Sequence, residues 1–271
     1  MKKKKKVAKA KDIYEQPHVY IATPAYDGKV DTDFAQSLAQ GAQAATMYGI
    51  RMTAAVMGNG AFIDLARNMF VKFFLEDNTT CTHLLFIDSD LKFEDRALVE
   101  VVRHCTAERP VVAGAYRRRQ DPESYPLRWV PDPDLMDDGI EKLWYDKAGF
   151  LMCDRVPTGF LCIRRNIVES MAAKAEKIQL TDFPDVPKLF YTYIDDETRF
   201  VGEDFAWCDD YKKQYGKPIS VWADFDFIHA GYECNYQRWI VDNAVMVDKE
   251  HSGVAILKEE PKVATRRIGK R

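Results

Sequence analysis

The chain has 271 residues, 46% of them hydrophobic, with 15 Phe, 13 Tyr and 5 Trp, enough to build a sizeable core. No apolar run reaches the ~18 residues of a membrane helix, and no apolar segment follows the basic start at residues 1–6, so neither a membrane span nor a secretory signal is expected. The formal charge of −3 hides a divided chain: residues 1–11 carry seven Lys and residues 262–271 five basic side chains, with no acid in either, whereas residues 12–261 carry 27 basic against 42 acidic side chains.

Like-charged tails of this kind are expected to be solvated, with contact to nucleic acid or another polyanion as the alternative. Residues 1–17 read as a basic, disordered arm closed by Pro17, residues 18–240 as one domain, and residues 241–271 as a tail ending in a basic segment. Within the domain, 18–119 reads as a nucleotide-binding half and 120–240 as an acceptor half. Six cysteines (Cys81, Cys105, Cys153, Cys162, Cys208, Cys234) show no C-x-x-C and no regular spacing. That is the pattern of reduced core thiols, and it points to an intracellular, cytoplasmic protein.

His18–Ala22 predicts a first strand, broken at the turn-rich stretch Thr23–Gly28. Apolar residues at Phe34, Leu38, Ala42 and Ala45 predict a helix over 31–48, capped by Asp31 or Thr32 and stopped by Gly49. Ile50, Met52, Ala54 and Val56 alternate as in a strand that ends at Gly58-Asn59-Gly60. A second helix is predicted over 61–76, with Phe62, Leu65, Ala66, Met69, Phe70, Phe73 and Phe74 on a wide apolar face. Asp64, Arg67 and Asn68 share a different face. Arg67 there either reaches a phosphate or carboxylate, or pairs locally with Asp64.

The apolar run Leu84–Ile87 reads as a buried strand that opens into Asp88-Ser89-Asp90. On an extended chain Asp88 and Asp90 project to the same side, where two carboxylates repel unless a cation lies between them. Hard divalent cations bind such oxygens together with phosphate oxygens of a substrate. The plain alternative is a strand end with two solvated acids.

A helix is predicted over 94–108, then a strand over Val111–Tyr116, giving the order β-α-β-α-β-α-β. Alternating strands and helices imply a mostly parallel sheet covered on both faces, with ligands bound beyond the carboxyl ends of its strands. Thr23–Asp27, Gly58–Gly60, Asp88–Asp90 and Tyr116–Arg119 all fall at such ends. The run Arg117-Arg118-Arg119 is either a solvated turn or a partner for a diphosphate or anionic acceptor.

Residues 120–149 and 178–200 read as irregular and aromatic-rich. Phe150–Cys153 and Phe160–Ile163 predict strands around Val156-Pro157-Thr158-Gly159. That step either admits a ligand close to the backbone or forms a hairpin-like turn. Helices are predicted over 166–177 and from about 203 to Tyr215, the second beginning with Glu203 and Asp204, where acids complement the dipole, and stopped by Gly216-Lys217-Pro218. Ile219–Trp222 and Phe225–His229 read as strands, and a short helix is expected around 240–249.

Five pieces occur in an order that resembles the GT-A-type nucleotide-sugar glycosyltransferases, nearest to small enzymes of viruses, phages and bacteria. They are Ile21-Ala22-Thr23-Pro24-Ala25-Tyr26; Ala66-Arg67-Asn68; Leu84–Asp90; Pro157-Thr158-Gly159-Phe160; and Gly202-Glu203-Asp204-Phe205 followed by Ile228-His229-Ala230-Gly231. The resemblance spans roughly residues 18–232. It implies an α/β, Rossmann-like GT-A fold with a mostly parallel central sheet and a smaller antiparallel acceptor-side portion.

It also implies roles. Thr23, Pro24, Ala25 and Tyr26 would hold the nucleobase and ribose, and Arg67 would lie near the phosphates. Asp88, Ser89 and Asp90 form the DxD motif, with Asp88, Asp90 and a late His229 binding Mn²⁺ or Mg²⁺. Thr158 and Gly159 would line the sugar, and Asp204 or Glu203 would be the general base of an inverting enzyme.

The implied reaction transfers a sugar from a nucleoside-diphosphate donor, UDP-linked by preference, to a glycan or a hydroxylated base in DNA. The implied setting is the cytoplasm, that of the host for a viral protein. A nucleotidyltransferase of similar fold is one alternative. The other is a non-enzymatic protein that binds nucleic acid through its basic tails. The tails themselves are no part of the family pattern.

Overall fold

The computed structural model describes residues 16–58, 60, 62–130, 143–146, 148–247 and 255–257. Both basic tails lie outside them. In chain order come β1 (His18–Ala25), α1 (Thr32–Met47), β2 (Arg51–Gly58), α2 (Ile63–Glu76), β3 (His83–Ile87), β4 (Leu91–Phe93), α3 (Asp95–His104) and β5 (Val111–Gly114). β6 (Arg128–Trp129), β7 (Leu151–Arg155) and β8 (Phe160–Arg164) lead into α4 (Arg165–Ala172). Two-residue strands follow at β9 (Lys177–Ile178), β10 (Val186–Pro187), β11 (Tyr193–Ile194) and β12 (Phe200–Val201). The rest is α5 (Glu203–Tyr215), β13 (Ile219–Trp222), β14 (Asp226–His229), β15 (Tyr232–Asn235), α6 (Tyr236–Asn243), β16 (Ala244–Val247) and β17 (Ala255–Leu257).

Eight strands form one central sheet in the order β2-β1-β3-β8-β5-β13-β7-β6. β1, β2, β3, β5, β6 and β13 run one way, and β7 and β8 run against them. The sheet is therefore mostly parallel, as the alternating pattern predicts, and its carboxyl edge collects the ends of β1, β2, β3 and β5. Helices cover it: α2 packs on β1, α3 on β5, α5 on β7, and α1 on α3. Every residue of β3 and β8 is buried, which explains why both read as continuous apolar runs rather than alternating ones. β2, at the sheet's edge, keeps the alternation of a half-exposed strand.

Aromatic side chains tie the sheet to the layers beside it. Phe190 meets Phe86 of β3 edge-on at 5.3 Å and stacks on Trp207 of α5 at 6.1 Å. Phe160 of β8 touches Phe93 of β4 at 5.4 Å and Phe227 of β14 at 5.0 Å. Burying each such ring is worth about 1.5–3 kcal/mol, so these columns fix the two layers firmly in register.

Several local expectations are corrected. β1 runs on through Thr23-Pro24-Ala25, which the turn signal assigned to a loop. β3 pairs with β1 only as far as Ala22, so at Pro24 the strand has one free side, the setting in which a strand tolerates proline. Asp88, Ser89 and Asp90 form a turn, with the Leu91 N–H directed at the Asp88 carbonyl at 3.3 Å, so strand alternation does not align the two carboxylates.

β7 and β8 do not make a hairpin around Val156–Gly159, because β8 is inserted between β3 and β5 while β7 lies between β13 and β6. α3 and α4 stop at His104 and Ala172, short of 108 and 177, and Lys177–Ile178 instead pairs with Val186–Pro187. The helix expected at 240–249 ends at Asn243, and Ala244–Val247 pairs with β17. Of the irregular 120–149 stretch, residues 131–142 and 147 lie outside the described residues.

Candidate active site

The site is assembled by a strand pairing that no local pattern announces. β4 begins immediately after Asp90, and it pairs antiparallel with β14 so that Leu91 faces His229. The Ala230 N–H donates to the Asp90 carbonyl at 3.0 Å and closes the junction. Ala230 and Gly231 both adopt positive φ (49° and 88°), as a tight β14–β15 turn demands. His229 Nε2 consequently lies 3.5 Å from Asp90 Oδ1.

The other ring nitrogen of His229 is 2.7 Å from the Arg117 carbonyl. A carbonyl only accepts, so Nδ1 carries a proton, and Nε2 faces Asp90, donating to it when the ring is protonated and offering a lone pair to a cation when the ring is neutral. Burial pulls the His229 pKa down, but the hydrogen bonds to Asp90 and to the Arg117 carbonyl outweigh it and raise it above its ordinary value. The bond from His229 holds Asp90 below the usual carboxylate range, with Arg119 contributing and burial opposing. Arg119 Nη1 donates to Asp90 Oδ2 at 2.8 Å.

Asp88 looks elsewhere. Its N–H donates to the Gly159 carbonyl at 3.0 Å, which places β8 beside the end of β3. Its carboxylate accepts from Arg67 Nη2 at 3.3 Å and from the Tyr116 hydroxyl at 3.5 Å. The Tyr116 oxygen in turn accepts the Gly159 N–H at 2.8 Å. A Cβ at Gly159 would sit 2.2 Å from that oxygen and 2.3 Å from Asp88 Oδ2, so only glycine permits this approach. Burial drives the Tyr116 hydroxyl well above its ordinary pKa, and Asp88 adds to the shift, so Tyr116 remains a protonated donor.

Arg67 and Asn68 are both buried, although a sequence pattern would assign them to a polar helix face. Asp64 accepts the Leu65 N–H instead of pairing with Arg67. Arg67 bridges Asp88 to Glu203 at the start of α5. Burial opposes its charge, but Asp88, Glu203 and Asp204 outweigh it and the guanidinium pKa rises. Asn68 accepts the N–H groups of Leu189 and Phe190 at 2.8 and 2.9 Å and donates to the Phe190 carbonyl at 2.7 Å.

The two acids at the helix start are therefore unlike. Glu203 is engaged by Arg67. Asp204 accepts the Phe205 N–H at 2.8 Å. Burial raises its pKa to about 6, with the like charges of Glu203 and Asp88 adding and Arg67 opposing. A carboxyl poised near neutrality can act as a proton acceptor.

At the end of β1, Pro24, Ala25 and Tyr26 line a cleft of about 260 Å³ with Met57, Gly60, Ile63 and Ala66. Tyr26 is 77% exposed at its mouth, while Thr23 is buried, is not in the lining, and has a hydroxyl with no partner among the described residues. The Thr158 hydroxyl is likewise buried beside Gly159, with no partner among the described residues. Ser89 contributes its carbonyl to the Asp31 N–H at 2.9 Å, which ties the turn to the start of α1.

The expected metal trio separates into two parts, with Asp88 turned to Arg67 and Tyr116, and Asp90 to His229. Among the described residues no group of three or more His, Cys, Asp or Glu side chains converges as a metal cluster. The Asp90–His229 pair nevertheless suits a divalent cation. It offers a carboxylate oxygen and an imidazole nitrogen whose tautomer is set by a carbonyl behind it. Sequence reasoning missed Tyr116 as the link between Asp88 and Gly159, and Asn68 as the anchor of Leu189–Phe190. Tyr116 carries no motif, Asn68 stands in the Ala66-Arg67-Asn68 piece with no role attached to it, and only burial reveals what each does. All six cysteines are buried and unpaired, and among the described residues no helix is long and apolar enough to cross a membrane.

No family model matches the chain, and no curated protein matches it. Among solved structures, it is similar to a crystallised protein from STIV at 13% identity and a TM-score of 0.47, covering 90% of this chain and 96% of that one. It is also similar to a glycosyltransferase involved in glycosylation of the major capsid of PBCV-1 (9%, TM-score 0.30, 57% and 63% covered). A third likeness is to the inositol-1-phosphate CTP transferase from T. maritima (9%, TM-score 0.36, 79% and 88%). Likenesses this loose carry no functional argument, which rests on the geometry above.

Proposed function

We propose that this chain is a metal-dependent glycosyltransferase that moves a sugar from a nucleoside-diphosphate donor to an acceptor hydroxyl with inversion. The observation that carries the reading is the Asp90–His229 pair at the carboxyl edge of the sheet, with His229 Nε2 3.5 Å from Asp90 Oδ1. Asp204, raised to about 6 and close to Arg67, Glu203 and Asp88, supports it as the base.

In this reading Asp90 and His229 hold Mn²⁺ or Mg²⁺, which when bound supplies positive charge to the departing diphosphate. The cleft at Pro24–Tyr26 takes the base and ribose. Thr158 and Gly159 are assigned to the sugar side, where the bare Gly159 backbone lets Tyr116 and Asp88 close in beside it. Asp204 takes the proton from the acceptor hydroxyl as its oxygen bonds the anomeric carbon. The bond from that carbon to the diphosphate breaks, and a nucleoside diphosphate leaves. Glu203 is not proposed as the base, because its carboxylate is engaged by Arg67. Arg67 in turn ties Asp88 to Glu203 in a buried setting. The donor is proposed to be UDP-linked and the acceptor a glycan or a hydroxylated base in DNA.

The test is thermal shift with Mn²⁺ and each nucleoside diphosphate, followed by assay with labelled nucleotide sugars. Stabilisation that requires both metal and nucleotide, and that is lost in Asp90→Ala and His229→Ala, is the expected result. Release of pyrophosphate would reassign the protein as a nucleotidyltransferase. Absence of any metal-dependent nucleotide shift would overturn the reading.

A further inference from the structure

The three consecutive arginines at the end of β5 have three different settings. Arg117 is buried, and its guanidinium is fixed by the Gln120 carbonyl at 2.5 Å and Asp121 at 2.8 Å, while its own carbonyl orients His229. Arg118 is exposed, and its N–H donates to the Ser124 carbonyl at 2.8 Å. Arg119 has a side chain 59% exposed and touches Asp90. The backbone on either side of Arg119 is held, since the Gln120 N–H also returns to the Arg118 carbonyl at 2.9 Å. Its side chain can therefore turn while the loop stays in place.

The two oxygens of Asp90 are divided. His229 Nε2 faces Oδ1, and Arg119 Nη1 covers Oδ2 at 2.8 Å. A divalent cation arriving at Asp90 meets a guanidinium already on that carboxylate, and like charges so close repel. We infer that Arg119 is an exchangeable counter-ion: it neutralises Asp90 while no metal is bound, is displaced when the metal enters, and then pairs with the diphosphate that the metal brings.

The displaced guanidinium remains tethered within a side chain's length of Asp90, where the planar fork of arginine matches phosphate oxygens. This inference rests on the proposed metal–nucleotide reading of the site. It adds a positioning residue that acts with opposite sign on the two ligands. Arg119 opposes the metal when it binds alone and favours the diphosphate when it binds with the metal.

The test measures binding rather than turnover. The affinity for MnCl₂ alone is read from the electron paramagnetic resonance of free Mn²⁺ in the full-length wild type, Arg119→Ala, Arg119→Lys, Asp90→Asn and His229→Ala. Affinities for adenosine, guanosine, cytidine and uridine diphosphates are then measured at saturating Mn²⁺. Arg119→Ala is expected to bind Mn²⁺ about three- to five-fold more tightly than wild type. It should bind the preferred nucleoside diphosphate about ten-fold more weakly. Arg119→Lys should restore both values toward wild type.

If Mn²⁺ binds through Asp90 and His229 but Arg119→Ala leaves its affinity unchanged or lowers it, the counter-ion role is overturned and the metal site stands. Unchanged diphosphate affinity in Arg119→Ala overturns the second half of the exchange. If wild type binds no Mn²⁺ that Asp90→Asn and His229→Ala abolish, the inference falls together with the functional reading.

Discussion

Arg67 on α2 is joined to Glu203 at the first turn of α5, although 136 residues separate them in the chain. The same guanidinium reaches Asp88 at the end of β3, so one buried cation binds two helices and a strand into a single unit. Removing one partner of a buried ion pair leaves the others uncompensated, at a cost of about 3–5 kcal/mol. Arg67→Ala is expected to lose that much in urea denaturation. Arg67→Lys keeps the charge but not the fork that spans two carboxylates, and should fall between it and wild type. A loss under about 1 kcal/mol in Arg67→Ala would show that the cluster is solvated.

Asp204 sets activity against stability. Its folded pKa of about 6 lies above its ordinary 3.8, so its contribution to stability is fully present below pH 3.8 and is lost as pH rises through 6. Asp204→Asn removes that cost. Each pKa unit is worth about 1.4 kcal/mol, so the variant should be more stable than wild type by on the order of 1–3 kcal/mol at pH 8, by roughly half as much at pH 5 and by much less at pH 4. That is a gain of a few degrees in Tm at pH 8. Sugar transfer should show the reverse pattern, rising in wild type through about pH 6 as the base ionises and failing in Asp204→Asn. Differential scanning fluorimetry across pH, beside a pH–rate profile, checks both.

Gly159 has no space for a methyl group. A Cβ there would meet Tyr116 Oη at 2.2 Å and Asp88 Oδ2 at 2.3 Å, distances that require one of them to move. Gly159→Ala is expected to cost about 1–3 kcal/mol by overpacking and to abolish metal-dependent nucleotide binding. Combining it with Tyr116→Phe removes one of the two clashing oxygens. The double variant should therefore be less destabilised than the sum of the singles, by at least 0.5 kcal/mol or so in a double-mutant cycle.

Asn68 makes three buried hydrogen bonds to Leu189 and Phe190, and so anchors the segment that carries Phe190 between Phe86 and Trp207. Asn68→Ala leaves two N–H groups and a carbonyl without partners, at about 1–3 kcal/mol each before the segment relaxes. Hydrogen exchange should quicken sharply at residues 189 and 190 and much less in β3. Uniform acceleration across both would point to global destabilisation instead.

Ala230 occupies the left-handed region at φ 49°, beside His229. That conformation costs a non-glycine residue roughly 1–2 kcal/mol, whereas glycine adds about 0.4–1 kcal/mol of chain entropy to the unfolded state. The first term is the larger, so Ala230→Gly should be neutral or stabilising by up to about 1 kcal/mol in chemical denaturation. It should leave Mn²⁺ affinity unchanged.

Much of this molecule was legible along the chain. Leu84–Ile87 and Phe160–Ile163 are apolar runs long enough for buried strands. Phe34, Leu38 and Ala45 mark a helical face, and Gly216, at φ 62°, ends α5 where its freedom at positive φ predicts a helix stop. These signals are local. They depend on side-chain spacing and on what each residue's own backbone allows, so the order of strands and helices, and with it the carboxyl edge, followed from sequence.

The site did not follow in the same way. His229 meets Asp90 because β14 pairs with β4, and β4 is three residues long, too short for any periodicity to announce. Asp88 and Asp90 face different partners because they sit in a turn, so the alternation that would align them on a strand does not apply. Arg67 and Asn68 look like a polar helix face and are buried, because Asp88, Glu203, Leu189 and Phe190 supply the partners that make their burial tolerable. The sequence by itself determined the main strands and helices, though not short strands such as β4, and which charged residues stand at their ends. The tertiary structure alone decided which of those charges meet, because a buried charge is paired by whatever the packing brings within reach rather than by its neighbours in the chain.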